Sequence, residues 1–210
     1  MNTRARTLLL AMMLLPVTGM AADRSYSYFE GGYLSSNPDG LDSGDGFYAR
    51  GSGAITENWH LFGGWGGTDH HGSDVTRWNI GLGYNVAIAP SWDLVGRLGY
   101  QRLELEFPGL DTSGNGDGYL LDVGVRGDLG PVVEGWAGVR HQDTDFPEPE
   151  ICGLFSPPPL DCHIAHDQNG SDTSLYVGGQ WKFAESWGLT AELSFGGQGN
   201  EVLVGPRLSF

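Results

Sequence analysis

The chain is short of positive charge, of cysteine and of long apolar runs, and each shortage removes a class of protein. Lysine and arginine total 11 against 26 aspartates and glutamates. A surface so acidic repels phosphate backbones, so no nucleic acid is expected as a partner. Only two cysteines occur, both in the segment CGLFSPPPLDC, and their spacing is not the CxxC of a redox pair. Beyond the N-terminal segment no stretch has the length and apolarity of a membrane helix, which needs about 20 residues. Any membrane would therefore have to be crossed by a closed barrel. Neither GxSxG nor HExxH is present, which removes two common hydrolase signatures. No catalytic residue, metal ligand or cofactor is assigned.

What is there begins with Arg4 and Arg6, followed by TLLLAMMLLPV and the small residues of TGMAA. This is the three-part layout of a secretory signal peptide, with cleavage expected after Ala21 or Ala22. The alternative, an N-terminal anchor helix, is too short to span roughly 30 Å of hydrocarbon. The organisation expected is a leader over 1–22 and a single mature domain over 23–210. Losing Arg4 and Arg6 leaves 9 basic residues against 26 acids, a charge close to −17. Glycine at 35 residues and aromatics at 11% point to β structure with tight turns, and regularly placed aromatics argue against disorder. A mean hydropathy of −0.23 fits a membrane barrel, because half of each strand faces lipid and half does not.

Side chains two apart share a face of an extended strand, and that period recurs along the chain. In RWNIGLGYNVAI, Trp78, Ile80, Leu82, Tyr84, Val86 and Ile88 alternate with Arg77, Asn79, Gly81, Gly83, Asn85 and Ala87. LYVGGQWKF, WGLTAELSF and GYLLDVGVRGDL repeat it, whereas no amphipathic helix would. The phase of WDLVGRLGYQRLELEF changes near Arg102 and Leu103, which predicts a bulge there or a strand leaving the membrane. Short connections (TENW, APSW, LGPV, ESWG) alternate with longer ones near 36–45, 107–117 and 146–171. The fold class expected is all-β: an antiparallel up-and-down transmembrane β-barrel of about 10 strands, with short turns on one side and long loops outside. Trp59, Trp92 and Trp187 each follow a short turn, as an interfacial aromatic girdle would.

The stretches FEGGYL, WHLFGGWGG, RWNIGLGYNVAIAPSWDLVGRLGYQ and VGPRLSF together resemble a family of small outer-membrane barrels from plant-associated and environmental gammaproteobacteria, once described as secreted quorum-signalling and immune-activating proteins. More loosely the chain resembles OmpA-like and opacity-type barrels. The resemblance covers most of the mature chain and implies outer-membrane location. It brings no active-site residues, and the loop around Cys152 and Cys162 departs from the family pattern. The final strand, with Val204, Leu208 and Phe210 on one face, resembles the terminal signal that barrel-assembly machinery recognises, an interaction that would be strand addition to an exposed edge.

The inward phase collects Glu30, Arg50, Arg77, Asp93, Arg97, Asp122, Arg126, Glu134, Arg140, Lys182, Glu192 and Arg207. Two outcomes follow from such a set: an interlocked ion-pair network filling a narrow barrel, or a charged pore for ions or small solutes. Cys152 and Cys162 share one exported loop and are expected to form a disulfide. His163 and His166 beside Asp161 and Asp167 could hold a transition metal but define no full ligand set. The stretch from Asp111 imitates an EF-hand loop with Asp122 where a bidentate Glu belongs, yet Asn-Gly and Asp-Gly are equally turn residues. His141 with Asp143 and Asp145 is the nearest thing to a hydrolase site. The function expected is non-catalytic: a structural or surface-interaction role through acidic external loops, with a narrow pore as the alternative and a barrel-embedded hydrolase as the third reading. The partners expected are outer-membrane lipid and lipopolysaccharide, the assembly machinery, and an external surface ligand whose identity the sequence does not carry.

Overall fold

The computed structural model describes residues 24–38, 43–70, 74–107, 112–145, 169–197 and 199–210. The leader, Cys152, Cys162, His163, His166 and most of the 146–171 segment lie outside the described residues. Ten strands form: β1 (Tyr28–Pro38), β2 (Gly44–Ala54), β3 (Trp59–Asp69), β4 (Asp74–Ala89), β5 (Trp92–Phe107), β6 (Thr112–Asp128), β7 (Val133–Asp145), β8 (Asn169–Lys182), β9 (Trp187–Gly196) and β10 (Gly199–Ser209). Each pairs antiparallel with its sequence neighbours, and β10 closes on β1 through Glu30↔Arg207, Tyr33↔Val204 and Ser36↔Glu201. The closing strand is therefore held by ladders on both sides, and the barrel has no free edge.

Alternation decides what each face meets. In β9 every odd residue from Trp187 to Phe195 is exposed, and Gly188, Thr190, Glu192 and Ser194 between them are buried. Phe47 at 69%, Leu175 at 60% and Trp181 at 56% exposure belong to the same outward belt. A continuous apolar belt of this kind is untenable in water, so the phase around it is hydrocarbon. The interval from Trp92 to Tyr100, or from Trp187 to Phe195, matches the roughly 9–11 residues a tilted strand needs to cross a bilayer.

Three of the four short turns share one local design. Ile55, Leu129 and Phe183 each donate a backbone N–H to the carbonyl of the residue that opens the next strand: Trp59 at 2.7 Å, Val133 at 2.9 Å and Trp187 at 3.1 Å. Trp59, Trp92 and Trp187 are the first residues of β3, β5 and β9 and point outward, Trp59 lying edge-on to Tyr84 at 4.9 Å. Val204 and Phe210 are exposed on the outer face of β10, and Leu208 is half-buried there.

Two expectations need correction, and one pair of alternatives is decided. The wall rises further than the composition suggests: β1 runs to Pro38, β6 starts at Thr112 and β8 at Asn169, so the connections are shorter than 36–45, 107–117 and 146–171. The imitation EF-hand is accordingly a strand, in which Asp117 faces outward and Asp122 is buried inward, and a strand cannot wrap an ion. No bulge interrupts Arg102–Leu103, because register is continuous from Trp92↔Gly127 to Phe107↔Thr112; the shift lies at Ala87/Ala89, beside a short turn. Of the two causes expected for the phase change, the strand leaving the membrane is the one that fits. Above Tyr100 the outward side meets water, and Arg102 pairs there with Glu104 at 3.1 Å and Asp117 at 3.7 Å.

Candidate functional site

The interior is built from side chains that point in from every strand. At the short-turn end, the segment ahead of β1 folds back into the mouth. Arg24 grips Asp93 through two nitrogens at 2.9 and 3.1 Å and reaches Asp128 at 2.8 Å. The Tyr26 hydroxyl donates to Asp93 at 2.9 Å, and its ring stacks on His60 at 4.9 Å. Burial raises the Tyr26 phenol above its ordinary pKa, which keeps it protonated as that donor. Arg126 lies over the same ring at 4.7 Å, pairs with Glu134 and donates to the Ser25 carbonyl. Lys182 meets Glu134 at 3.3 Å. His60 is wholly buried in space left by Gly83, where a Cβ would stand 2.0 Å from the imidazole Nε2.

Further in, Glu30 is fully buried and accepts from the Tyr48 hydroxyl at 2.7 Å, from Arg50 at 2.9 Å and from Arg207 at 2.5 Å. Arg50 and the Trp136 indole both donate to Glu192 at 2.9 Å. Asp122 accepts from Tyr176 at 2.9 Å and from Arg140 at 3.3 Å. The guanidinium of Arg207 is sandwiched between Tyr28 at 4.2 Å and Trp136 at 4.8 Å, and Arg140 lies on Tyr176 at 4.9 Å. Planar cations on aromatic faces fill volume as well as balance charge. Gly178 makes room for Trp136, since a Cβ there would meet the indole nitrogen at 2.4 Å. The void left at this level is ≈30 Å³.

Toward the outer end the interior opens. A chamber of ≈140 Å³ lies under a vestibule of ≈210 Å³, with Arg77, Arg140, Gln142 and Glu201 lining both. Arg77 pairs with Glu201 at 2.9 Å, and Gln142 donates to Gln101, which donates to Thr144. Leu103 and Leu105 line the vestibule.

Outside, the rim of the wall carries an acidic row. Asp45 stands opposite Asp69, Asp69 opposite Asp74, and Asp74 opposite Glu106, across four consecutive strands. All four are exposed. Like charges directly opposite each other destabilise a sheet, so the row persists for a reason other than stability. Just below it, Tyr33 donates to Asp45 and Tyr100 to Asp117, both at 2.5 Å.

All the inward charges expected from the alternation point into the barrel, and the pairs above join all of them except Arg97, whose nearest carboxylate is Asp122 at 3.9 Å. Arg24, Tyr26, His60, Trp136 and Glu201 were not among those candidates. Arg24 and Tyr26 precede the first strand, although both continue the even phase of Tyr28 and Glu30. His141 faces outward, with Thr173 at 2.9 Å and the Tyr119 ring at 6.1 Å as its described partners, and no described bond joins it to Asp143 or Asp145. His70 is bonded to Thr68 at 2.9 Å. Among the described residues no group of three His, Cys, Asp or Glu side chains could hold a metal ion.

No curated protein matches the chain in sequence. Similar solved structures include the translocator domain of the autotransporter NalP from Neisseria meningitidis, at 14% identity and a TM-score of 0.43, covering 99% of this chain and 97% of that one. OprG from Pseudomonas aeruginosa is similar at 13% identity and a TM-score of 0.41, covering 91% and 99%. Ail of Yersinia pestis is similar at 14% identity and a TM-score of 0.38, covering 89% and 99%. Residues 7–183 match the sequence profile described as "Outer membrane protein beta-barrel domain", and the chain, a closed ten-stranded antiparallel barrel with a lipid-facing belt, belongs to that family of outer-membrane β-barrels.

Proposed function

We propose that the protein is a non-catalytic barrel with a closed lumen that works at the outer surface, its acidic collar joined through divalent cations to the phosphates of lipopolysaccharide. The observation that carries this reading is the interior. Glu30, Asp122 and Glu192 each accept from at least two side chains where the void narrows to ≈30 Å³, a space for one or two waters. A lumen so occupied leaves the outside as the working face. There the Asp45, Asp69, Asp74 and Glu106 row repels itself and repels phosphate, and hard divalent cations with oxygen ligands relieve both. The leader over 1–22, the Cys152–Cys162 bridge in a proline-stiffened loop, the girdle of Trp59, Trp92 and Trp187, and the assembly signal of Val204, Leu208 and Phe210 belong to the same reading.

Two measurements test it. Immobilised lipopolysaccharide is expected to retain the refolded barrel in magnesium and to release it in EDTA, and the variant Asp69→Asn/Asp74→Asn/Glu106→Gln is expected to lose the magnesium-dependent part. Retention independent of both magnesium and the three carboxylates would remove the proposed role. Planar-bilayer recordings are expected to show no discrete steps. The chamber and vestibule favour the second reading, a narrow pore, and regular conductance steps would put it first.

A further inference from the structure

We infer that the chamber below the vestibule is a binding site for one small monovalent anion, a halide or a short carboxylate, with Arg97 as its principal ligand. The inference concerns the lumen alone and stands apart from the role proposed for the rim.

Arg97 is the interior arginine whose charge is left without a close partner. Arg24, Arg50, Arg77, Arg126, Arg140 and Arg207 each have a carboxylate oxygen within 3.3 Å. The nearest carboxylate to Arg97 is Asp122 at 3.9 Å, beyond hydrogen-bond reach, and Asp122 already accepts from Arg140 and Tyr176. The Arg97 Nε is shut off from solvent and has no hydrogen-bond partner. The Phe62 ring lies 5.9 Å from the guanidinium, which offers packing but no full charge. A buried donor without an acceptor is costly, and the remainder of the Arg97 side chain keeps 20% of its surface open.

The charge count agrees with the geometry. At the short-turn mouth Arg24, Arg126 and Lys182 are matched by Asp93, Asp128 and Glu134, three against three. Above them Arg50, Arg77, Arg97, Arg140 and Arg207 face Glu30, Asp122, Glu192 and Glu201, five against four. One positive charge is left over, and the arginine without a near partner is Arg97. The next acid outward, Asp172, lines the vestibule and not the chamber.

Space and access complete the case. Arg97 lines both the ≈140 Å³ chamber and the small void beneath it. Arg50, Arg77, Arg140, Asn79 and Gln142 line the same chamber, where the three arginines and the carboxylates Asp122 and Glu201 are engaged in pairs and Arg97 is the underpaired cation. That volume admits several water-sized groups, enough for chloride, formate or acetate. The way in is the vestibule, since ion pairs close the opposite end.

The experiment uses the refolded full barrel in detergent, unfolded by urea at constant ionic strength, with chloride, formate or acetate replacing the bulky polyol anion gluconate. A ligand that binds only the folded state stabilises it along a saturating curve. The three small anions are expected to raise the unfolding midpoint and saturate, and Arg97→Gln is expected to abolish the difference from gluconate. Equal midpoints in all four anions, or an anion response unchanged in Arg97→Gln, would overturn the inference. Should Arg97→Gln fail to fold, chloride-35 line broadening on the wild-type barrel decides. Broadening displaced by formate supports the site, and its absence, or broadening that formate leaves untouched, counts against it.

Discussion

Glu30→Ala is expected to cost about 3–5 kcal/mol of barrel stability, the penalty for breaking a buried ion pair from one side. The carboxylate is wholly buried and accepts from Tyr48, Arg50 and Arg207. Its removal leaves two guanidinium groups facing each other across β1, with only Glu192 to hold Arg50. Urea unfolding of the refolded barrel, followed by tryptophan fluorescence, measures the loss. Arg207→Met in the same chain is expected to restore part of it, since one of the stranded cations is then gone and Tyr28 and Trp136 can pack on an apolar side chain. A loss below about 1 kcal/mol for Glu30→Ala is the value typical of exposed pairs, and would mean that the lumen is wet at that level.

Leu98→Arg is expected to cost about 2–4 kcal/mol, the penalty for a cation on the lipid face near the bilayer midplane. Leu98 stands opposite Leu82 on the outward face, and both are more than two-fifths exposed. Arg102, one turn of the pleat beyond Tyr100 on the same face, is a natural arginine with acidic partners. Glu104→Arg, beyond Arg102, is expected to cost no more than about 1 kcal/mol, as substitutions near the interface do. The contrast between these positions maps where hydrocarbon gives way to water. A barrel that accepted Leu98→Arg as readily as Glu104→Arg would not have lipid against β5.

The wall is legible in the sequence wherever its two faces meet different solvents. Ile80, Leu82 and the odd positions from Trp187 to Phe195 must satisfy hydrocarbon and their neighbours need not, so period two is written plainly. Where both faces are wet the period has nothing to record. Thr112–Asp117 therefore reads as a turn-rich loop, although the ladder continues there through Leu105↔Gly114 and Glu104↔Asn115. The inward charges are legible singly, as residues of the right phase. Their partnerships are not, because closure brings together residues as distant as Glu30 and Arg207, and no local pattern encodes that meeting. Arg97 shows the limit most clearly: its phase marks it as inward, but only the positions of Arg140 and Tyr176 around Asp122 leave it underpaired.

The folding-back of Arg24 and Tyr26 into the mouth has a practical side for anyone who wants to label or display this barrel. An affinity tag or fluorescent fusion attached immediately upstream of Arg24 would have to share the opening with Asp93 and Asp128, so it would disturb the very part it reports on. A handle inserted after Pro38 or Phe107, where β1 and β5 end at the opposite rim, leaves that opening untouched and is better placed.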